Sequence, residues 1–327
     1  MSESKPIPVT ELEKLCDDFL SLKRATGLKY LSEEKYLRVF IRFCKENVAN
    51  ENLPEDVIGQ WIASDHNQSM KTKSNKVSLT KVLAQHLFYL GYQPLAIPYV
   101  PSNRNKAFVP HIYTADELAA IWHAVDHIKP ASNVPNLHRC IPVLFRLLYA
   151  GGLRISEALG INVEDIDFDS KVITLLRAKL DRERLMPISD SMFKVLKKYA
   201  DDCTRELRKG DPFFYYRKGE RLTQHTIYTR FRLTLQLAGI PYEGKLKGPR
   251  IHDFRHTFAV NAMNKLTDAG KDLYTALPII SAYLGHASVE STERYVRLTQ
   301  DRLSTITDCA LRFTTNLFPE VLPNGEI

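Results

Sequence analysis

Five residues in the second half of the chain are of the types needed to attack a phosphodiester with a side-chain hydroxyl. They are two arginines, two histidines and a tyrosine: Arg154, His252, Arg255, His286 and Tyr295. A planar guanidinium can hold two phosphate oxygens with parallel hydrogen bonds, and it stays charged at any working pH. A phenol is a weak nucleophile at neutral pH because its ordinary pKa is about 10, so it needs nearby positive charge or a base. The set therefore predicts covalent attack by a tyrosine on a phosphodiester.

The spacing of these residues favours a shared site. His252 precedes Arg255 by three residues, so both side chains would lie on one face of a helix. Arg154 follows the glycines at 151–152, which would end one helix and place the arginine in the first turn of the next. Free backbone N–H groups in a first turn favour a phosphate. His286 follows a glycine, a residue type common after helix ends, so its imidazole would project from a turn.

Three short boxes carry a resemblance to a known family. They read GGLRISEALG at 151–160, HDFRH at 252–256, and LGH at 284–286 with Tyr295 nine residues further on. In order and spacing they resemble the tyrosine recombinase (phage integrase) family, and three boxes together are far more specific than any one of them. The resemblance implies a site-specific DNA recombinase that cleaves and rejoins DNA through a 3′-phosphotyrosine. It also implies that neither a cofactor nor a metal is needed.

The family also uses a lysine in a β-hairpin between the first two boxes. A β-branched and apolar run at 172–176 predicts the first strand of such a hairpin, and the segment 184–188 is its expected partner. Lys179 falls at the turn between them. Lys179 does not have the glycine neighbours that are usual in the family. Lys171, at the other end of the first strand, is therefore a competing candidate.

The resemblance implies a role for each residue. Tyr295 would attack the phosphate while Arg154 and Arg255 hold the developing charge. His252 would accept or shuttle the tyrosine proton, and His286 would hydrogen-bond the phosphate. The lysine would protonate the leaving 5′-oxygen. The complete expected set is Arg154, Lys179, His252, Arg255, His286 and Tyr295 for catalysis, with Glu157 orienting its neighbours.

The first hundred residues predict a small helical bundle. Thr10 and Glu13 are spaced as a capping box in front of a first amphipathic stretch. Apolar stripes from about Glu33 and around Val57 predict two more helices, and the fourth is expected at 82–90.

The expected fold is mainly α with a small antiparallel β-sheet, in two domains. The resemblance implies a four-helix core-binding (SAM-like) domain with its linker over 1–108, and an α+β tyrosine recombinase catalytic domain with a helical tail over 109–327. The tail carries apolar residues at near-helical spacing: Leu303, Ile306, Ala310, Leu311, Leu317 and Phe318. This stripe either packs on its own domain or docks on a neighbouring protomer and so links four subunits on DNA.

Two basic segments are candidates for contact with double-stranded DNA. One lies before the expected fourth helix and mixes Lys71, Lys73 and Lys76 with hydroxyl and amide side chains. The other is a proline-rich linker that contains Arg104 and Lys106. Lysines neutralise phosphate charge and polar side chains donate hydrogen bonds to it, although any single lysine of this kind is as often part of a solvated loop.

Composition is compatible with these expectations. Lys and Arg outnumber Asp and Glu by 45 to 38, and the sequence pI is about 9.0, which suits a DNA-facing protein but is not specific to one. The five cysteines are scattered without metal-ligand spacing, and no export signal or membrane-length apolar stretch is recognisable. We therefore expect a soluble, cytoplasmic protein.

Three alternatives stay open at this point. The expected task is integration or excision of a mobile element, and resolution of chromosome or plasmid dimers is the first alternative. Similar residues also serve DNA relaxation by type IB topoisomerases, although the sequence strings look more like those of recombinases. A catalytically silent DNA-binding protein of the same fold is the third alternative.

Overall fold

The computed structural model describes residues 4–101, 109–132, 134, 136–176, 183–203, 207–217, 219–244 and 248–285. The chain divides into two compact units, Met1–Phe108 and Val109–Ile327. Each unit has its own hydrophobic core.

Over residues 4–101 the first unit contains four helices, which confirms the predicted bundle. They are α1 (Leu12–Ala25), α2 (Leu31–Asn47), α3 (Val57–Ala63) and α4 (Met70–Tyr89). Each helix turns large apolar side chains inward because these recur every three or four residues. Phe19, Phe40, Trp61 and Leu83, one from each helix, are all buried in the same core.

The capping box predicted at Thr10 is wrong. Helix α1 begins at Leu12 after Glu11, and no side chain caps its first turn. The carboxylate of Glu13 instead lies 2.6 Å from the Lys45 ammonium and 3.7 Å from the Arg38 guanidinium, both on α2. Ion pairing between helices thus replaces the local hydrogen bond that the spacing indicated.

Helix α4 is longer than predicted, and this changes the setting of the first basic segment. Ser69 caps the helix by accepting a hydrogen bond from the Thr72 N–H at 3.1 Å. Lys71, Lys73 and Lys76 therefore lie within the first turns of α4 and not in a loop before it. Their polar neighbours hid the helical periodicity, which the sequence shows clearly only after residue 78.

The second unit is mainly helical. Its helices are α5 (Ala115–Asp126), α6 (Leu137–Ala150), α7 (Ile155–Gly160), α8 (Asp190–Cys203), α9 (Gln224–Leu237), α10 (Asp253–Asp268) and α11 (Leu273–Leu284). Phe254, at the start of α10, is fully buried, with the rings of Trp122, Phe145 and Phe231 centred 5.7–5.9 Å from its own. This aromatic cluster anchors the end of α10 that carries His252 and Arg255.

The described part of the second unit also contains two small antiparallel sheets. Strands β1 (Ile166–Asp167), β2 (Val172–Leu176) and β3 (Glu183–Pro187) form the predicted hairpin and its extra strand, with Ile173 opposite Met186. Strands β4 (Tyr215–Arg217) and β5 (Glu220–Arg221) form a second hairpin, which the sequence analysis did not predict. Strands of two or three residues are too short to show an alternating pattern. The mainly α fold with small antiparallel sheets is otherwise confirmed.

Membrane and metal features are absent from the part of the chain that the structure describes. No helix there is both long enough and apolar enough to cross a bilayer. The same residues contain no group of three or more His, Cys, Asp or Glu side chains placed to hold a metal ion. Cys16, Cys44, Cys140 and Cys203 are free thiols.

Candidate active site

Arg154 is placed by a sharp break between two helices. Helix α6 ends at Ala150, Gly152 adopts a left-handed conformation with φ +57°, and Arg154 directly precedes α7. The carboxylate of Glu157 accepts hydrogen bonds from the Arg154 N–H at 3.0 Å and from its Nη1 at 2.7 Å. The Arg154 side chain is still 42% exposed, so this held guanidinium is accessible to a ligand.

Arg255 is almost fully buried, with only 1% of its side chain exposed. Its Nη1 donates to the Gly152 carbonyl at 2.7 Å, and its Nη2 donates to the Leu284 carbonyl at 2.8 Å. The first of these oxygens belongs to the turn before Arg154, and the second ends α11. Arg255 therefore joins all three boxes of the sequence in space.

Glu157 lies at the centre of a cluster of guanidinium groups. Its Oε2 is 3.2 Å from Nη2 of Arg184 and 3.9 Å from Nη1 of Arg255, in addition to the contacts with Arg154. Burial acts to raise the pKa of Glu157, but the Arg154 N–H and the charges of Arg184 and Arg154 outweigh it and hold the pKa below its ordinary value. Glu157 is therefore a carboxylate at neutral pH.

His252 is neutral at physiological pH. It directly precedes α10, and its ring meets that of His256 edge to face at 4.9 Å. Partial removal from water, followed by the charges of Arg255, Arg250 and Arg154, lowers the pKa of His252 to about 4. Its imidazole can thus accept a proton, and a bound phosphate would favour the protonated form because it offsets the surrounding positive charge.

The structure brings four of the predicted residues together: Arg154, Glu157, His252 and Arg255. Lys179, His286 and Tyr295 lie outside the described residues, as do Arg104 and Lys106 of the linker.

The two lysine candidates differ in what can be said of them. Lys171 has its ammonium 2.6 Å from the Asp190 carboxylate and 5.2 Å from the Phe193 ring centre, and neither partner belongs to the cluster around Glu157. Lys179 lies in sequence between β2 and β3. These contacts of Lys171 favour Lys179 as the catalytic candidate.

One residue of the cluster, Arg184 on β3, was missed in the sequence. It is buried, and its Nη1 donates to the Tyr283 carbonyl while its Nη2 contacts Glu157. The signal was the alternation of the strand, because Arg184 points inward with Met186 while Leu185, between them, is 70% exposed. An apolar residue facing outward beside an inward arginine marks a buried polar site.

Lys76 is not available for the phosphate contact expected of it. Only 4% of it is exposed, and its ammonium lies 4.3 Å from the ring centre of Trp61. Burial lowers the pKa of Lys76. Lys71 is exposed and Lys73 is partly exposed, so both still offer positive charge to a ligand.

Comparisons with known proteins identify the family of the chain. The phage integrase family model matches residues 112–302. The protein y4rB of Sinorhizobium fredii, named as an integrase/recombinase, is 26% identical over 85% of this chain and 90% of its own length. Tyrosine recombinase XerC of Chlamydia caviae is 37% identical over 47% of this chain and 46% of its own length.

Solved structures share the fold. A XerH site-specific recombinase bound to its difH substrate is 19% identical, with a TM-score of 0.63 over 91% of this chain and 84% of its own. The Tn1549 transposon integrase in complex with transposon right end DNA is 16% identical, with a TM-score of 0.62 over 91% and 100%. With the family match spanning more than half of the chain, this protein belongs to the phage integrase family of tyrosine recombinases, as the three boxes predicted.

Proposed function

We propose that this enzyme is a site-specific DNA recombinase that cleaves and rejoins double-stranded DNA through a 3′-phosphotyrosine formed on Tyr295. The observation that carries the proposal is the convergence of Arg154 and Arg255 on Glu157, with the neutral His252 beside them. The guanidinium groups of Arg154, Arg184 and Arg255 and the single carboxylate of Glu157 leave a net charge of +2 in this cluster. Such a site suits a phosphodiester, whose charge grows in the transition state.

The proposed first step is an in-line displacement at the scissile phosphorus. The Tyr295 oxygen forms a bond to phosphorus as the bond to the 5′-oxygen breaks, while Arg154 and Arg255 hold the non-bridging oxygens. His252 takes the phenolic proton, Lys179 gives a proton to the leaving 5′-oxygen, and His286 hydrogen-bonds the phosphate.

The second step reverses the first on a different strand. The 5′-hydroxyl of a partner strand attacks the phosphotyrosine, which restores the phenol and creates a new phosphodiester. One ester is exchanged for another, so the energy of the broken linkage is conserved. The exchange therefore requires neither a nucleotide nor a metal.

Contacts with DNA are proposed for basic side chains on helices in both units. Lys71 and Lys73 lie in the first turns of α4. Helix α9 contains His225, Arg230 and Arg232 and no acidic residue over its whole length. The lysines and arginines among them would neutralise backbone phosphates. Arg104 and Lys106 of the linker are proposed as further contacts.

Assembly into a tetramer on DNA is proposed to run through the C-terminal segment. A lambda integrase tetramer bound to a Holliday junction has a fold similar to this chain, with a TM-score of 0.59. The apolar stripe between Leu303 and Phe318 lies outside the described residues and is the proposed contact with a neighbouring protomer.

The biological task that we favour is integration or excision of a mobile element. The match to y4rB, which extends over most of both chains, supports this. Resolution of chromosome or plasmid dimers is the second candidate; about half of this chain (47%) is 37% identical to a protein named tyrosine recombinase XerC. Deleting the gene in its host separates them: loss of a circular excised element supports the first, and accumulation of unresolved dimers supports the second.

The test of the chemistry uses DNA that the protein itself selects from a random duplex pool. A nick near the selected site turns this DNA into a suicide substrate that traps the covalent intermediate. Tyr295→Phe is expected to abolish the adduct and retain binding, while Tyr149→Phe, in which the lost hydroxyl accepts from Asn261 at 3.2 Å, keeps both. A covalent adduct in the Tyr295→Phe protein would refute the assignment.

A sulfur substitution tests the proton donor. If Lys179 protonates the leaving 5′-oxygen, Lys179→Met slows cleavage, and replacing that oxygen with sulfur restores the rate because a thiolate leaves without a proton. Lys171→Met is the matched control and is expected to cleave at the wild-type rate. Failure of the sulfur substrate to rescue Lys179→Met contradicts the role.

Two further assays exclude the other activities. Two-site recombination with little relaxation of supercoiled DNA distinguishes a recombinase from a type IB topoisomerase. Wild-type protein that binds its selected site without forming any adduct would instead indicate a silent DNA-binding protein.

A further inference from the structure

We propose that Arg184 is a positioning residue for the strand-exchange reaction, which fixes strand β3, the Arg154–Arg255 pair and the end of α11 in one arrangement. This inference rests on the proposed function of the site. Arg184 lies outside the three boxes and is assigned no contact with the phosphate; its two amino groups donate to the Tyr283 carbonyl and to the Glu157 carboxylate.

The end of α11 is bridged to Glu157 twice. The last carbonyls of a helix lack partners within the helix, and here each of two neighbouring carbonyls accepts from a guanidinium. Arg255 donates to Leu284 O and lies 3.9 Å from Glu157, while Arg184 donates to Tyr283 O and lies 3.2 Å from Glu157. The second bridge comes from β3, so it joins this strand to the end of α11 and to Glu157.

The second bridge also controls the charge balance around Glu157. Oε2 of this carboxylate lies between Arg184 and Arg255 and is closer to Arg184. Without Arg184, the same oxygen would attract Arg255 more strongly and compete with the carbonyls of Gly152 and Leu284. Arg255 would then shift away from the position in which it is held for the phosphate.

Arg184 and Glu157 form a buried ion pair. The side chains of Arg184 and Glu157 are only 7% and 8% exposed, so neither charge is satisfied by water. A buried ion pair of this kind contributes little net stability compared with apolar residues of similar size. The geometry therefore points to placement of catalytic groups as the role of Arg184.

The chain offers a matched control for Arg184 in Arg221. Both arginines lie on short strands and both secure α7, but Arg221 does so at the opposite end of that helix. Its Nη1 donates to the carbonyls of Leu159 and Ile161, and its Nη2 donates to Asn162 Oδ1 at 2.6 Å. Arg221→Met thus removes an equivalent support without touching Glu157.

The experiment measures three quantities for Arg184→Met, Arg184→Lys and Arg221→Met. These are the thermal midpoint of unfolding, the dissociation constant for the selected duplex, and the rate of adduct formation on the nicked substrate at saturating protein. Because a misplacement of about 1 Å costs on the order of 100-fold in rate, we expect that loss for Arg184→Met with little change in DNA affinity. Arg184→Lys is expected to lose roughly 10-fold, since one ammonium can satisfy Glu157 but cannot also reach Tyr283 O.

The comparison of variants decides the proposal. Equal slowing by Arg184→Met and Arg221→Met would overturn it, because the effect would then follow general loosening of α7. A wild-type adduct rate in either Arg184 variant would overturn it as well, and should Arg184→Met fail to fold, the adduct rate of Arg184→Lys decides. If the wild-type protein forms no adduct, the proposed function itself is refuted. If the wild-type protein forms the adduct and the Arg184 variants form it at the same rate, only the positioning role of Arg184 is refuted.

Discussion

Replacing Gly152 with alanine tests the geometry of the turn that precedes Arg154. Gly152 has φ +57°, and its carbonyl accepts from Arg255 Nη1 at 2.7 Å. A Cβ added at this position would lie 2.6 Å from Leu284 Cδ2 and 2.6 Å from Phe258 Cδ1. The substitution therefore combines backbone strain with a steric clash at the point where the boxes meet.

The expected loss of stability has two parts. A left-handed conformation costs alanine about 1–2 kcal/mol, of which about 0.4–1 kcal/mol is recovered because alanine restricts the unfolded chain. Overpacking of a dense core adds about 1–3 kcal/mol. We expect Gly152→Ala to lower the free energy of unfolding by about 2–3 kcal/mol, near the middle of these ranges.

Gly239→Ala is the matched control for the backbone part. Gly239 has φ +69°, and a Cβ there would meet nothing within 4 Å, so Gly239→Ala retains only the net conformational cost of about 0–1.6 kcal/mol. The chain has two tryptophans, and Trp61→Phe leaves Trp122 as the reporter of the second unit in urea unfolding. Equal destabilisation by Gly152→Ala and Gly239→Ala would refute the close packing described around Gly152.

Three further predictions concern the charged groups. Arg255→Lys is expected to lower the free energy of unfolding by about 1–3 kcal/mol, because one ammonium cannot satisfy both buried carbonyls, and a urea midpoint equal to that of the wild type would contradict the bridge. Lys71→Met is expected to reduce the magnitude of the slope of log affinity for duplex DNA against log salt concentration by about 0.9. Lys76→Met is expected to leave this slope unchanged because Lys76 is buried, and equal slopes for the two variants would contradict that burial. The pKa of His252 is about 4 in the folded chain and near its ordinary value of 6.5 in the unfolded chain. Between pH 6.5 and about pH 4 the unfolded chain therefore binds a proton that the folded chain does not, and the free energy of unfolding falls as the pH drops through this range. His252→Gln should flatten this fall in urea unfolding, and an identical pH dependence in both proteins would exclude the depressed pKa.

The sequence was sufficient for features that depend on local order. The break at Gly151 and Gly152, the hairpin strands and the end of α11 before Gly285 all follow from residue preferences that act over a few positions. Arg154 and Arg255 could be recognised because their boxes lie in a fixed order along the chain.

Features that depend on tertiary neighbours could not be obtained in this way. The carboxylate of Glu13 had a local capping position available, but the ammonium of Lys45 on another helix competes for it. Lys76 looks like a surface cation until the ring of Trp61 is placed beside α4. Arg184 required knowledge of which face of β3 turns inward, and a strand of five residues with a charged inward side chain gives an ambiguous pattern.

The burial of the cluster around Glu157 separates two effects of ionic strength. Mobile ions limit the reach of an exposed charge such as that of Lys71 to about 10 Å at 0.1 M salt. They cannot enter between side chains that are excluded from solvent. Added electrolyte should therefore weaken the capture of DNA while leaving the arrangement of Glu157, Arg184 and Arg255 intact. In a complex that has already formed, the rate of bond cleavage should therefore depend little on the salt concentration.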